Sequence, residues 1–324
     1  MRVPVPRRTA VLWLALLAGA LGGCAQGVDR APKPSAPKSA PRAPQAPTVL
    51  TDPALIRLAR IEQLVLAWDQ AQGEGRAQDA DAFAARLRAE VDAGDADVRA
   101  AFDGAHGIEP RFLATMALGF SSAPDATALL VERLNESEAR LVANALLALR
   151  VRRDPSTPLL PLAHYVGSED PRVRRYAPLA LAHVLDARRA AGVPPDAEME
   201  ARLVPRLAAR AKDRDAAVRL HVARALGALR ADGVGAVLLP MLRDHRPEVA
   251  LGAASALARR GEPGGMPGVV QLLNDSPSDR RPPIAEALVR YAETLTGAPL
   301  PASERERLGV SPMAWLRWHN ELDK

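Results

Sequence analysis

The sequence predicts an all-α fold, an α-α superhelix in which helical hairpins stack side by side. Three observations carry that expectation. The 324 residues are 48% hydrophobic but only 3% aromatic, a balance that favours closely packed helices over a sandwich or a barrel. The dipeptide Ala-Leu recurs at Ala117-Leu118, Ala148-Leu149, Ala180-Leu181, Ala225-Leu226, Ala256-Leu257 and Ala287-Leu288, with successive offsets of 31, 32, 45, 31 and 31 residues. In the clearest unit, Asp213 to Asp244, Val218, Val222, Ala225, Leu226 and Leu229 step by three and four, the spacing of one helix face.

The chain begins with Arg2, Arg7 and Arg8 ahead of "TAVLWLALLAGA", a positive region followed by an apolar run too short to span a bilayer as an ordinary helix. This reads as an export signal covering residues 1–23. Its last residues, Leu21, Gly22 and Gly23, precede Cys24, the only cysteine of the chain. "LGGC" resembles the lipobox of bacterial lipoproteins, and the resemblance implies cleavage before Cys24 and acylation of its thiol and amine. Each buried methylene contributes about 0.8 kcal/mol, so two or three acyl chains hold a protein on a membrane where one does not. "AGA" at 18–20 also fits an ordinary signal-peptide cleavage site, and Arg7-Arg8 also fits part of a twin-arginine signal. A single cysteine rules out a disulfide framework, so packing alone must stabilise the fold.

Residues 24–52 carry Pro32, Pro34, Pro37, Pro41, Pro44 and Pro47 among Ala, Ser and Lys. Such a segment cannot bury enough apolar surface to fold, and its prolines bias it toward extended polyproline II. It is expected to be a disordered, semi-stiff spacer. At about 3.1 Å per residue it reaches on the order of 70 to 80 Å when extended. In lipoproteins sorted by the Lol pathway an aspartate after the cysteine favours inner-membrane retention. Ala25 here implies the outer membrane, with the protein facing the periplasm or the cell surface.

In 53–107, "PALIRLARIEQLVLAW" places Leu55, Ile56, Leu58, Ala59, Ile61, Leu64, Val65 and Trp68 in a broad apolar stripe, and "DADAFAARLRAEV" and "ADVRAAFDGA" supply two further helices. These are expected to be capping helices or degenerate repeats, because a terminal repeat lacks a neighbour on one side.

From 108 to 296 the repeat dominates. "SEDPRVRRYAPLALAHV", "DRDAAVRLHVARALGALR" and "HRPEVALGAASALARRG" are versions of one phrase. Its Asp-x-x-Val-Arg followed by Ala-Leu-Gly resembles the HEAT-repeat family, especially the short bacterial HEAT-like repeats also seen in phycobilisome lyases. The resemblance implies a solenoid of about six or seven hairpins, each sharing its apolar stripe with its neighbours. Asp170 and Asp215 stand where a carboxylate caps a helix N-terminus. In HEAT proteins the arginines that follow, here Arg174 and Arg219, often pair with acids of adjacent repeats. The long interval holds "DARRAAGVPPDAEME" at 186–200, an inserted loop with a helix start.

Residues 297–324 end in "ERLGVSPMAWLRWHNELDK". With Leu295, Thr296 and Gly297, then Gly309, Pro312, Trp315 and Trp318, this resembles a tail that follows the repeats in many exported bacterial HEAT proteins. Trp315 and Trp318 share a helix face, which suggests a lid over the last repeat, with an aromatic partner-binding patch as the alternative.

The six histidines form no close ligand pair, and neither a GxSxG elbow nor a phosphate-binding glycine loop occurs. No metal, cofactor or small-molecule ligand is expected. Residues 1–50 hold 7 of the 43 basic residues and 1 of the 38 acidic ones, which leaves 36 against 37 in 51–324. The basic pI near 9.8 therefore belongs to the leader and spacer, and nucleic acid is not the expected partner. Between 172 and 230, however, 13 basic residues face six acids. Arg172, Arg174, Arg175, Arg219, Arg224, Trp315 and Trp318 are the candidate partner-binding residues, although interrepeat pairing is the default role for the arginines. The reading is a membrane-anchored, non-catalytic protein scaffold at the cell envelope whose protein partner the sequence does not name. Its alternatives are a regulatory or assembly subunit of an envelope enzyme complex, and an enzyme with a site in the 186–200 insertion.

Overall fold

A computed structural model describes residues 52–262 and 264–322. Leu21, Gly22, Gly23, Cys24 and the proline-rich segment lie outside the described residues, so the leader, anchor and spacer remain expectations. Among the described residues the regular structure is entirely helical. It falls into two compact units that meet in sequence at Ala117 and Leu118.

The first unit contains α1 (Pro53–Gly73), α2 (Ala77–Ala93), α3 (Asp95–Phe102) and α4 (Ile108–Ala117). Asp52 starts α1: its carboxylate accepts from the Ala54 N–H, and Pro53 occupies the first turn, where its missing donor costs nothing. The buried seam of α1 is Ala54, Leu58, Ile61, Val65, Trp68 and Ala71, narrower than the stripe expected from the sequence. Ile56 is exposed, while α1 packs on α2, α3 and α4. Helix α4, whose sequence belongs with the repeats, packs on α1 and α3.

The second unit alternates short and long helices. The short ones are α5 (Ala126–Arg133), α7 (Leu159–His164), α9 (Ala197–Ala208), α11 (Val234–Met241) and α13 (Gly265–Asp275). The long ones are α6 (Ala139–Arg152), α8 (Pro171–Ala190), α10 (Ala216–Ala228), α12 (Pro247–Arg260) and α14 (Arg281–Thr296). Each short helix packs on the long helix that follows it, and the long helices pack in a row, α6 on α8, α8 on α10, α10 on α12 and α12 on α14. The Ala-Leu pairs at 148, 180, 225, 256 and 287 all lie on these long helices and all are buried. Full burial of a leucine contributes about 1.5 to 3 kcal/mol, so each repeat gains its core only by having a neighbour.

The packed hairpin differs from the unit most visible in the sequence. Residues 213–244 read as α10 followed by α11, yet α11 turns Val234, Leu238 and Met241 inward and packs mainly on α12. The insertion lengthens α8 to 20 residues. Gly192 then turns the chain in the left-handed region (φ 69°), and Asp196 starts α9 by accepting from the Met199 N–H. After α14 come α15 (Ala302–Leu308) and α16 (Pro312–Leu322), and α16 packs on α13.

Candidate functional site

The row of long helices carries most of the arginines singled out from the sequence, and the structure sorts them by partner. Asp170 and Asp215 cap α8 and α10, accepting from the Arg172 and Val173 N–H groups and from the Ala217 N–H respectively. Four residues later Arg174 and Arg219 turn back toward the loop before the helix. Arg174 Nη1 donates to the carbonyls of Ser168 and Glu169, and Arg219 Nη1 to that of Asp213. The remaining guanidinium nitrogens reach the next repeat: Arg174 Nε lies 2.9 Å from Asp213, while Arg219 grips Asp244 with two bonds of 2.6 and 2.8 Å.

These interrepeat pairs are buried, with side-chain exposures of 7% and 4% for Arg174–Asp213 and 7% and 10% for Arg219–Asp244. Burial pushes the Asp244 carboxyl up, but the Arg219 guanidinium and the Arg246 N–H together hold it below the usual carboxylate range. Arg219 is raised by its hydrogen bond to Asp244. Arg175 extends the pattern, pairing at 2.7 Å with Asp215, the cap of the next long helix. Arg172 pairs with its own cap, Asp170, at 3.0 Å. The aspartates are fixed in turn by their loops, since Asp213 accepts from the Asp215 N–H and Asp244 from the Arg246 N–H.

A second set of arginines closes the other end of the long helices. Arg152 donates to the carbonyls of Ser121 and Ala123, Arg188 to those of Pro155 and Thr157, and Arg260 to those of Leu229 and Ala231. Each reaches back to loop carbonyls of the preceding repeat and ties its own helix to that loop. Sequence reasoning did not identify this set. The position four residues after the alanine of Ala-Leu marks it in two of the three repeats (Arg152 and Arg260).

Arg224 stands apart from the other four candidates. It is exposed, and among the described residues its side chain makes no hydrogen bond or ion pair. Around it lie residues not singled out from the sequence: His183 on α8, His221 on α10, Arg259 on α12, and Arg150 and Arg153 at the end of α6. Burial, followed by the charges of Arg150, Arg153 and Arg224, pushes His183 down to about 3. Burial and the charges of Arg224, Arg150 and Arg175 push His221 down to about 4, against a hydrogen bond to the Arg175 carbonyl, 2.9 Å from Nδ1. The proton of the neutral His221 ring therefore sits on Nδ1. Arg259 is offset by Asp186, 2.9 Å away.

Trp315 is wholly buried and donates from Nε1 to the Gly309 carbonyl at 3.0 Å. Trp318, also buried, meets it edge to face with ring centroids 6.0 Å apart. Both rings point into the packing of α16, while Met313 and Val310 face solvent.

The insertion lines a shallow cleft with Leu159, Leu185, Arg188, Arg189, Ala228 and Arg230. Its polar groups are committed to backbone. Arg189 donates to the Ala228 carbonyl, and buried Glu200 accepts from the N–H groups of Arg230 and Ala231. Among the described residues, no group of three His, Cys, Asp or Glu side chains is placed to hold a metal ion, and no helix is long and apolar enough to cross a membrane.

Residues 204–289, from within α9 into α14, match the family model for HEAT repeats. Among solved structures, one engineered protein is similar at 21% identity, over 74% of this chain and 71% of that one, with a TM-score of 0.50. A second engineered protein is 21% identical over 63% of this chain and 98% of that one, with a TM-score of 0.45. A designed armadillo repeat protein in complex with the peptide (KR)4 is 15% identical over 72% and 99%, with a TM-score of 0.40. The first of these likenesses, at 21% identity, speaks to the fold alone. No curated protein matches the sequence.

Proposed function

We propose that the protein is an exported, lipid-anchored scaffold that presents the long-helix face of its second unit to a protein partner at the cell envelope, without turnover of its own. The observation that carries this reading is the division of labour among the arginines. Buried Arg174 and Arg219 tie successive repeats into one stiff row, while Arg224, on the same row, is left exposed. A stiff, repeated surface with unsatisfied charge suits recognition of another macromolecule. The single cysteine behind an apolar leader and ahead of a proline-rich spacer supports anchoring at Cys24, and Ala25 supports the outer membrane.

Two measurements test the proposal. Cys24→Ser is expected to abolish labelling by a clickable fatty acid and to move the protein into the soluble fraction; labelling that persists refutes the anchor. A photocrosslinker at Ser255, on α12, is expected to capture a stoichiometric protein in envelope extract, whereas one at exposed Leu160, on α7, is not. Turnover of a substrate by the purified protein alone would overturn the non-catalytic reading.

A further inference from the structure

Helix α10 ends without a glycine cap. Leu229 leaves it in an extended conformation (φ −76°, ψ 153°), whereas α12 and α14 end on Gly261 and Gly297 in the left-handed region. Side chains of other helices hold the backbone groups there instead. Arg189 of α8 donates to the Ala228 carbonyl at 2.8 Å, Arg260 of α12 donates to the Leu229 and Ala231 carbonyls, and Glu200 of α9 accepts from the Arg230 and Ala231 N–H groups. Over this end, side chains of α8 and α12 meet: Arg259 Nη1 lies 2.9 and 3.3 Å from the two carboxylate oxygens of Asp186. Arg174–Asp213, Arg175–Asp215 and Arg219–Asp244 each tie a long helix to the next one in the row. Asp186 and Arg259, 73 residues apart, reach across α10 instead. Asp186, Arg189 and Glu200 all come from the 186–200 insertion.

We infer that the insertion is a brace across α10 with a fixed and a releasable part: Arg189 and Glu200 grip the helix end, while the Asp186–Arg259 pair is a strap whose opening lets α8 and α12 spread. Small rotations at the α8–α10 and α10–α12 contacts add up between α8 and α12, so a contact that skips α10 restrains both together. Exposure separates the two parts. Glu200 is 5% exposed, whereas the side chains of Arg259 and Asp186 are 39% and 46% exposed, and a pair so exposed favours its closed form only a few-fold. Salt weakens it further, since the Debye length falls from about 8 Å at physiological ionic strength to about 3 Å at 1 M. The surroundings supply a force toward opening. Burial lowers the Arg189 guanidinium, the nearby Asp186 carboxylate opposes that shift, and Arg259 and Arg230 add to it. Asp186 thus stands among like charges, and its removal leaves them to repel one another. The strap sets the width of the long-helix row and does not depend on the partner proposed for that face.

The test is the distance between nitroxide labels on Ala190→Cys of α8 and Ser255→Cys of α12, read by pulsed electron paramagnetic resonance on the full chain carrying Cys24→Ser. At low salt the parent is expected to give one narrow distribution, to which about 1 M salt adds a longer component. Asp186→Asn and Arg259→Gln are each expected to show the longer component already at low salt, while melting like the parent because both side chains are partly exposed. The swap Asp186→Arg/Arg259→Asp is expected to recover the short distance. Arg172→Gln, whose partner Asp170 belongs to the same repeat, is expected to leave the distribution unchanged. Low-salt distributions of Asp186→Asn and Arg259→Gln that match the parent overturn the inference. A shift in Arg172→Gln as large as theirs also overturns it, because the whole row would then be loosening rather than one strap opening.

Discussion

Gly227 of α10 lies so close to Ala256 of α12 that a Cβ placed on it would stand 2.6 Å from the Ala256 Cβ and 2.8 Å from its Cα. The two residues occupy consecutive repeats, Gly227 just after one Ala-Leu pair and Ala256 heading the next. Gly119 makes the same approach to Ala148, with its missing Cβ 2.8 Å from the Ala148 Cα and 2.7 Å from the carbonyl oxygen. The glycine of Ala-Leu-Gly therefore sets how closely α10 and α12 pack, while Gly119, in the turn before α5, lets that turn approach α6 as closely.

Gly227→Ala is expected to destabilise the protein. The substitution gains up to about 1 kcal/mol of helix propensity, but overpacking against backbone typically costs about 1 to 3 kcal/mol, and the neighbour cannot swing aside. Thermal unfolding followed by circular dichroism should show a lower midpoint. Gly73→Ala, at the end of α1 with open space around it, should not.

Arg219→Ala removes one half of a buried, doubly bonded ion pair and strands Asp244. Breaking such a pair from one side costs about 3 to 5 kcal/mol. Asp244→Ala should cost a similar amount, and the double variant less than the sum of the two, which a double-mutant cycle on chemical denaturation reads directly. Arg172→Ala, whose pair with Asp170 is partly exposed, should cost under about 1 kcal/mol.

The two half-buried histidines make stability depend on pH. His183 and His221 are held at about 3 and about 4 in the folded protein, below the 6.5 or so of an unfolded chain. The unfolded state therefore binds more protons between those values, so stability is greatest above about pH 6.5 and is lost as the pH falls toward 4, by up to about 1.4 kcal/mol per pH unit for each histidine. The lowered carboxylates Asp170, Asp215 and Asp244 add their loss only at more acid pH. Midpoints measured between pH 7 and 5 should fall in the parent and flatten in the double variant His183→Gln/His221→Gln; an unchanged slope would show that neither ring is held neutral.

Trp315→Ala should lower the melting temperature by several degrees, since truncating a buried tryptophan costs about 3 to 5 kcal/mol. Met313→Ala, on the exposed side of the same helix, should leave it unchanged. A Trp315 variant that melts like the parent would argue that the tail does not close the last repeat.

Much of the fold was legible from local pattern. Apolar steps of three and four located the long helices, the 31-residue spacing located the repeats, and the aspartates at 170 and 215 located helix starts, because these signals arise from residues within a turn or two of one another. The candidate site was legible only in part. Arg172, Arg174, Arg175, Arg219 and Arg224 look alike as a basic run, yet Arg174 pairs across 39 residues and Arg219 across 25, whereas Arg224 makes no side-chain hydrogen bond or ion pair among the described residues. His183, His221, Arg150, Arg153 and Arg259, scattered over more than a hundred positions, carry no local signal at all. Counting outward from each Ala-Leu pair would have placed several of them on one face.

By itself, then, the sequence determined that the chain is a helical repeat and which residue of each repeat is buried, since periodic apolar burial needs only the geometry of one helix and an identical neighbour. Tertiary structure alone decided which charges are neutralised between repeats and which remain on the surface. That outcome depends on the distance between side chains of different helices, set by how closely residues such as Gly227 and Ala256 let those helices approach.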